Sequence, residues 1–196
     1  MESSVLQLHF LGERRYLHGT TLFDALVPYC RNGNALDFRI SRMIETDRVM
    51  AEPVDAAIGL QRRFHATLVW NEGGSQNGLG VVPLKPSPQP LREVFDEAAI
   101  VARAKWEAKA IMLSEPAEES LVRSVIALNK ALLFRVLRPP KSGQWLFVRL
   151  QLDRVVSSFQ ILRVEHRLSV GLAAVSSAIE VDGEPMGTVV FSWLTK

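Results

Sequence analysis

The stretch best suited to chemistry is His18-Gly19-Thr20-Thr21, which leads into a short apolar run at Leu22, Phe23, Ala25 and Leu26. A helix starting here presents N–H groups with positive partial charge, which can hold an anion or a developing oxyanion. His18 is placed to act as a base or donor beside that charge. Gly19 permits a ligand to come close to the backbone, and Thr20 and Thr21 add hydroxyls. The structural alternative is an ordinary capped helix preceded by a turn.

His166 is the second candidate, within Glu165-His166-Arg167. In a strand it turns away from its charged neighbours and joins Leu162, Val164 and Leu168 on one face. A histidine there can be a pocket base, or simply a core histidine with a hydrogen-bond partner. The third candidate is basic. Arg39, Arg149, Arg163 and Arg167 fall on the polar sides of predicted strands. If those strands are adjacent, Arg149 and Arg163 can meet an anion. Asp37, Asp153 and Glu165 share those sides, so a salt-bridged, solvated face is the alternative.

Other motifs are incomplete. The four histidines, at 9, 18, 65 and 166, show no His-x-x-x-His pairing. Only one cysteine, Cys30, is present, so neither a metal site nor an internal disulfide is expected. Arg31 beside Cys30 can lower its pKa, but no histidine is near in sequence. Gly73-Gly74-Ser75-Gln76-Asn77-Gly78-Leu79-Gly80 lacks the Gly-Lys-Ser/Thr ending of a phosphate loop and the Rossmann spacing. The sequence leaves the cofactor unknown.

Composition sets the frame for these residues. With 47% hydrophobic residues in a chain of 196, there is enough apolar surface for a core without staples. The net charge of +2, with 17 Arg and 6 Lys nearly balanced by acids, makes nucleic-acid binding a trailing reading. The start, Met1-Glu2-Ser3-Ser4, shows no secretory pattern, and no apolar run approaches the ~20 residues of a membrane span. A cytoplasmic protein without membrane contact is expected.

The elements that must position the candidates follow from periodicity. Alternation at Leu6, Leu8 and Phe10, at Leu36, Phe38 and Ile40, and at Phe64, Ala66, Leu68 and Trp70 predicts three strands. Between the first two, Thr21 and Asp24 suggest a capping-box start, and Pro28 should end the helix early. Residues 71–90, rich in Gly and Pro, read as a long loop. Leu91, Val94, Phe95, Ala98, Val101 and Ala102 share a helical face that can run to Leu113. Ser114-Glu115-Pro116 then opens a second helix carrying Leu121, Val125, Leu128 and Leu132, stopped by Pro139-Pro140. The two form a predicted helical hairpin. Four strands follow, the last two joined by Asp182-Gly183, a type I′ hairpin signal. Pro185 just beyond predicts an edge strand or late pairing.

The expected fold is therefore one α+β domain over 1–196. It has a mostly antiparallel sheet of about six to seven strands, packed against a helical hairpin and a short N-terminal helix. No internal repeat is visible.

The run Tyr16-Leu17-His18-Gly19-Thr20-Thr21-Leu22-Phe23-Asp24-Ala25-Leu26 resembles the His-Gly start of the central helix in hotdog-fold thioesterases. The closing hairpin with Asp182-Gly183-Glu184 is similar to late hotdog strands. The resemblance implies acyl-CoA or acyl-carrier substrates, a homodimer, and His18 and Asp24 as the positions of interest. The residues and the resemblance together favour a domain that binds, or acts as an enzyme on, a small anionic or acyl ligand. The alternative is a non-catalytic, homo-oligomeric interaction or regulatory domain.

Overall fold

The computed structural model describes residues 2–55, 63–115 and 118–195. They form two compact units. The first is Met1–Phe95 with Asp153–Val155, and the second is Asp96–Leu152 with Val156–Lys196.

The first unit begins with β1 (Ser4–Gln7) and the short β2 (Phe10–Leu11), then α1 (Gly19–Leu26). β3 (Asn34–Ile40), β4 (Arg48–Pro53), β5 (Ala66–Glu72), β6 (Ser75–Pro83) and the two-residue β7 (Arg92–Glu93) follow. The sheet order is β1-β4-β6-β5-β3, antiparallel at every pairing. β2 and β7 make a separate parallel pair. α1 is buried on most of its circumference, through Gly19, Thr20, Thr21, Leu22, Phe23 and Leu26. Phe23 meets Phe38 of β3 edge-to-face, with ring centroids 5.4 Å apart. Pro28 acts as expected: the α-helix ends at Leu26 and tightens into a 3-10 turn over Val27–Cys30. The start differs from the capping-box expectation. His18, not Thr21, is the residue before the first helical turn.

Residues 71–90 are not one loop. Gly73 and Gly74, at φ of 60° and 78°, turn the chain between β5 and β6, and Ser75–Pro83 is a strand. Two positive-φ glycines are what a two-residue hairpin turn needs. The composition that suggests a loop reflects that turn and the later prolines. Gly80 also lets β6 pass against Phe64, whose ring occupies the space a Cβ would need.

The second unit contains α2 (Glu97–Ala102), β8 (Lys105–Trp106), β9 (Ala110–Leu113) and α3 (Leu121–Leu137). β10 (Gln144–Arg154), β11 (Leu162–Val170), β12 (Ala174–Val181) and β13 (Glu184–Leu194) complete it. The order is β8-β9-β11-β12-β13-β10, again antiparallel. The Asp182-Gly183 turn has both residues at positive φ, 52° and 85°, as a type I′ turn requires. Pro185 is accommodated by late pairing: β10 joins β13 only from Gly187 onward. α3 packs on β9 and β11. It is capped by the Ser120 hydroxyl, which accepts the Arg123 N–H at 3.3 Å. Ser114 is not the cap, and Pro116 lies outside the described residues.

Two expectations are corrected here. The main antiparallel sheet has eleven strands, not six to seven. The helical hairpin is absent. Of the predicted 91–113 helix only Glu97–Ala102 is helical, and Ala110–Leu113 is a strand paired with β11. Val94, on the supposed apolar face, is 90% exposed. Pairing with a strand some fifty residues away overrides local helical spacing. α2 remains tied to α3 by Lys130 and Glu97 at 2.8 Å.

The element order also holds a repeat that the sequence hides. In each unit, leaving aside the two-residue strands, one strand precedes a buried helix and four follow. The first and second strands take the two flanks of the five: β1 and β3 in one unit, β9 and β10 in the other. Helix lengths of 8 and 17 residues erase any common period. The strand order differs as well, since the fourth and fifth strands exchange places between units. Among the described residues no helix is long and apolar enough to cross a membrane.

Candidate functional site

Local rules place the first candidate. His18 sits in extended conformation (φ −72°, ψ 141°) immediately before α1. The first helical bond runs from the Leu22 N–H to the His18 carbonyl, 3.2 Å. The N–H groups of Gly19, Thr20 and Thr21 precede that bond, where helices carry their positive end. His18 is 9% exposed, and Thr20 and Thr21 are buried with it. The imidazole does not cap the helix. Instead its Nδ1 pairs with Thr20 Oγ1 at 2.8 Å. That contact holds the ring and couples its tautomer to the hydroxyl. If Thr20 donates, Nε2 carries the proton; if Thr20 accepts, Nε2 is the basic nitrogen. The Phe95 ring lies 6.4 Å from the imidazole, centroid to centroid. Thr21 Oγ1 is buried and has no hydrogen-bond partner among the described residues. Leaving a hydroxyl dry and unpaired costs stability, so its position asks for an acceptor or donor from elsewhere.

Of the four consecutive residues His18, Gly19, Thr20 and Thr21, the described contacts join His18 to Thr20. Sequence reasoning misses Phe95, which reads as part of a helical stripe. Asp24, singled out by resemblance, is half-buried on α1. It stands five residues past Gly19, roughly 7–8 Å along the helix axis.

The other candidates are arranged differently. His166 does not share an apolar face with Leu168. A bulge between them shifts the register against β12, and Leu168 is 62% exposed. His166 Nε2 pairs with Ser169 Oγ at 3.1 Å, while its Nδ1 is buried without a partner among the described residues. Arg149 and Arg163 do not converge. β10 and β11 are separated by β13 and β12, three strand spacings or roughly 14 Å. Arg163 is engaged by carboxylates: Glu165 at 2.6 Å, Glu107 at 2.9 Å and Glu180 at 3.9 Å. The bonds from Arg163 hold the Glu165 carboxyl below its ordinary range against the opposing effect of burial. Arg167 and Lys109 act in the same direction. This is the salt-bridged face, and Arg39 with Asp37 at 2.6 Å repeats it in the first unit.

Cys30 is buried and donates weakly to the Val27 carbonyl at 3.5 Å. Burial, then the Glu72 carboxylate, push its thiol up to about 11, the opposite of activation by Arg31. Gly73-Gly74 serve a hairpin turn rather than a phosphate cradle. Among the described residues no cluster of three or more His, Cys, Asp or Glu side chains is arranged to hold a metal ion.

No protein-family model and no curated protein sequence matches the chain. Solved structures do. The chain is similar to a candidate thioesterase II from Thermobifida fusca YX, with TM-score 0.52 and 10% identity, covering all of this chain and 94% of that one. It is also similar to the dehydratase domain of the CurK module of curacin polyketide synthase, with TM-score 0.51 and 11% identity, covering 99% and 92%. An inactive mutant of the same dehydratase gives TM-score 0.50 at 11% identity over the same shares. At such identities the likeness carries the fold alone. That fold is of the hotdog kind, an antiparallel sheet with a buried helix after its first strand, as the resemblance of the His18–Leu26 stretch implied.

Proposed function

We propose that this chain binds an acyl group activated as a thioester, and that the thioester carbonyl is received at the start of α1. One observation carries the reading. His18 is buried at a helix start, with its ring fixed by Thr20 and the unpaired Thr21 hydroxyl close behind it in sequence. A carbonyl oxygen gains negative charge when its carbon is attacked or its α-proton is removed. Backbone N–H groups at a helix start stabilise that charge without reorganising. An imidazole held in place by that contact can take or give the accompanying proton. The hotdog fold shared with dehydratase and thioesterase structures supports an acyl ligand over other anions. Arg163, committed to three carboxylates, is a poor alternative anion site.

The test is calorimetric titration with a non-hydrolysable acyl-pantetheine thioether, in which a methylene inserted between sulfur and carbonyl keeps the carbonyl, comparing the chain with His18→Ala. Saturable binding, weakened at least about tenfold by the substitution, is expected, corresponding to ~1.4 kcal/mol. Binding of equal strength in both proteins removes His18 from the site. No binding of any acyl chain length rejects the reading as a whole.

A further inference from the structure

The C-terminal half of β11 is an open sheet edge. On one flank β11 is paired with β12 all the way to Val170 opposite Ala174. On the other flank the register with β9 stops at Glu165 opposite Ala110, followed only by the His166 N–H to the Lys109 carbonyl at 2.9 Å. Among the described residues no strand pairs with Arg167–Val170 on that side. Edges of this kind are normally blunted by lysine, proline, a bulge or a covering element; the bulge between His166 and Leu168 precedes this stretch, and Leu168–Val170 beyond it stays in register with β12. Here the edge carries Leu168 and Val170, 62% and 65% exposed, and its one charged side chain is Arg167, bonded to Glu165 at 3.1 Å.

We propose that this edge pairs with the same edge of a second copy of the chain, antiparallel about a two-fold axis through Ser169. The occupant follows from self-complementarity. With Ser169 opposite Ser169, Leu168 of each copy stands opposite Val170 of the other. The four apolar side chains then share one face. Arg167 falls opposite Gly171, which has no Cβ to obstruct it, and the two arginines lie four register steps apart, so like charges do not meet. Other registers are worse. Centring on Leu168 sets Val170 against His166, and centring between Leu168 and Ser169 sets Val170 against Arg167. An isologous contact closes at two copies and does not propagate. Three residues paired strand to strand on each copy, Leu168–Val170, make a small interface, so the dimer is weak and concentration-dependent.

Ser169→Cys tests the geometry directly. Directly opposed residues in an antiparallel pair have Cα atoms about 4.5–5.5 Å apart, within disulfide reach. Cys30 is buried and does not compete. The full chain should sediment as a reversible monomer–dimer system. Ser169→Cys should form a covalent dimer on mild oxidation, and adding Leu168→Lys should cut that yield at least about tenfold with an unchanged melting temperature. Leu168→Thr, milder, should weaken the dimer in the same direction and serves if the lysine variant does not fold. A monomer at all concentrations with no cross-link overturns the proposal, as does a dimer indifferent to Leu168. A monomer that captures an unrelated extended peptide at this edge assigns it to another occupant and equally overturns it.

Discussion

The buried Asp47 carboxylate accepts both the backbone N–H of Ser87, at 2.9 Å, and the Ser87 hydroxyl, forty residues further along the chain. The Asp47 backbone carbonyl meanwhile accepts the Leu8 N–H at 2.7 Å. One residue thus ties the proline-rich segment after β6 to the segment following β1. Burial opposes the charge on Asp47, yet the two Ser87 bonds and the neighbouring Arg48 outweigh it and set the carboxyl below its ordinary range.

Asp47→Asn should therefore destabilise the fold by about 1.5–3 kcal/mol at neutral pH, the usual worth of hydrogen bonds to a charged group. The sign of the pH dependence follows from a folded pKa lying below the unfolded one. The contribution is complete above the unfolded value, about 3.9, and is lost as pH falls through the folded value. Denaturant melts of both proteins from pH 7 to pH 2.5 should converge at the acid end. A constant gap across that range would assign the loss to shape rather than charge.

Gly183 and Gly187 both have positive φ, 85° and 153°, but only one is crowded. A Cβ on Gly183 would meet nothing within 4 Å, whereas one on Gly187 would strike the Gln151 carbonyl. Gly183→Ala should cost about 1–2 kcal/mol from backbone strain alone. Gly187→Ala should cost clearly more, because the β10–β13 ladder must open. Equal melting temperatures for the two variants would contradict that pairing.

These two glycines also show what a sequence can reveal. Asp182-Gly183 is a local turn, so residue type and flanking alternation announce it. The role of Gly187 depends on Gln151, which joins only when β10 and β13 pair. The same division explains the missing helical hairpin. Leu121–Leu137 forms a helix as its spacing predicts, but Ala110–Leu113 takes its conformation from Leu162–Glu165. At the candidate site, His18 and Thr20 are two residues apart and legible as a pair. Asp47 with Ser87, and His18 with Phe95, exist only once the chain has folded.

Cys30 should be chemically inert. With its thiol raised to about 11, mainly by burial, roughly one molecule in a thousand is thiolate at pH 8. Reaction with iodoacetamide should run at least about a hundredfold slower in the native chain than in denaturant, since thiolate and access are both withheld. Glu72→Gln should accelerate it only slightly, because the carboxylate is the lesser cause. Rapid native labelling would show the thiol to be reachable.

The contact between His18 Nδ1 and Thr20 Oγ1 gives the last prediction. Thr20→Val keeps the β-branched shape in a fully buried position and removes only the hydroxyl. The cost in stability should be about 0.5–1.5 kcal/mol, that of one neutral hydrogen bond. The more telling readout is the imidazole itself. In the wild-type chain, nitrogen NMR of His18 should report a hydrogen-bonded Nδ1, whichever of the two groups donates. In Thr20→Val that signature should be lost. Binding of the acyl-pantetheine thioether should weaken less than in His18→Ala, since the ring is present but no longer held. A purely structural Thr20 would lower stability and leave the binding unchanged, and that outcome would separate this hydroxyl from the proposed chemistry.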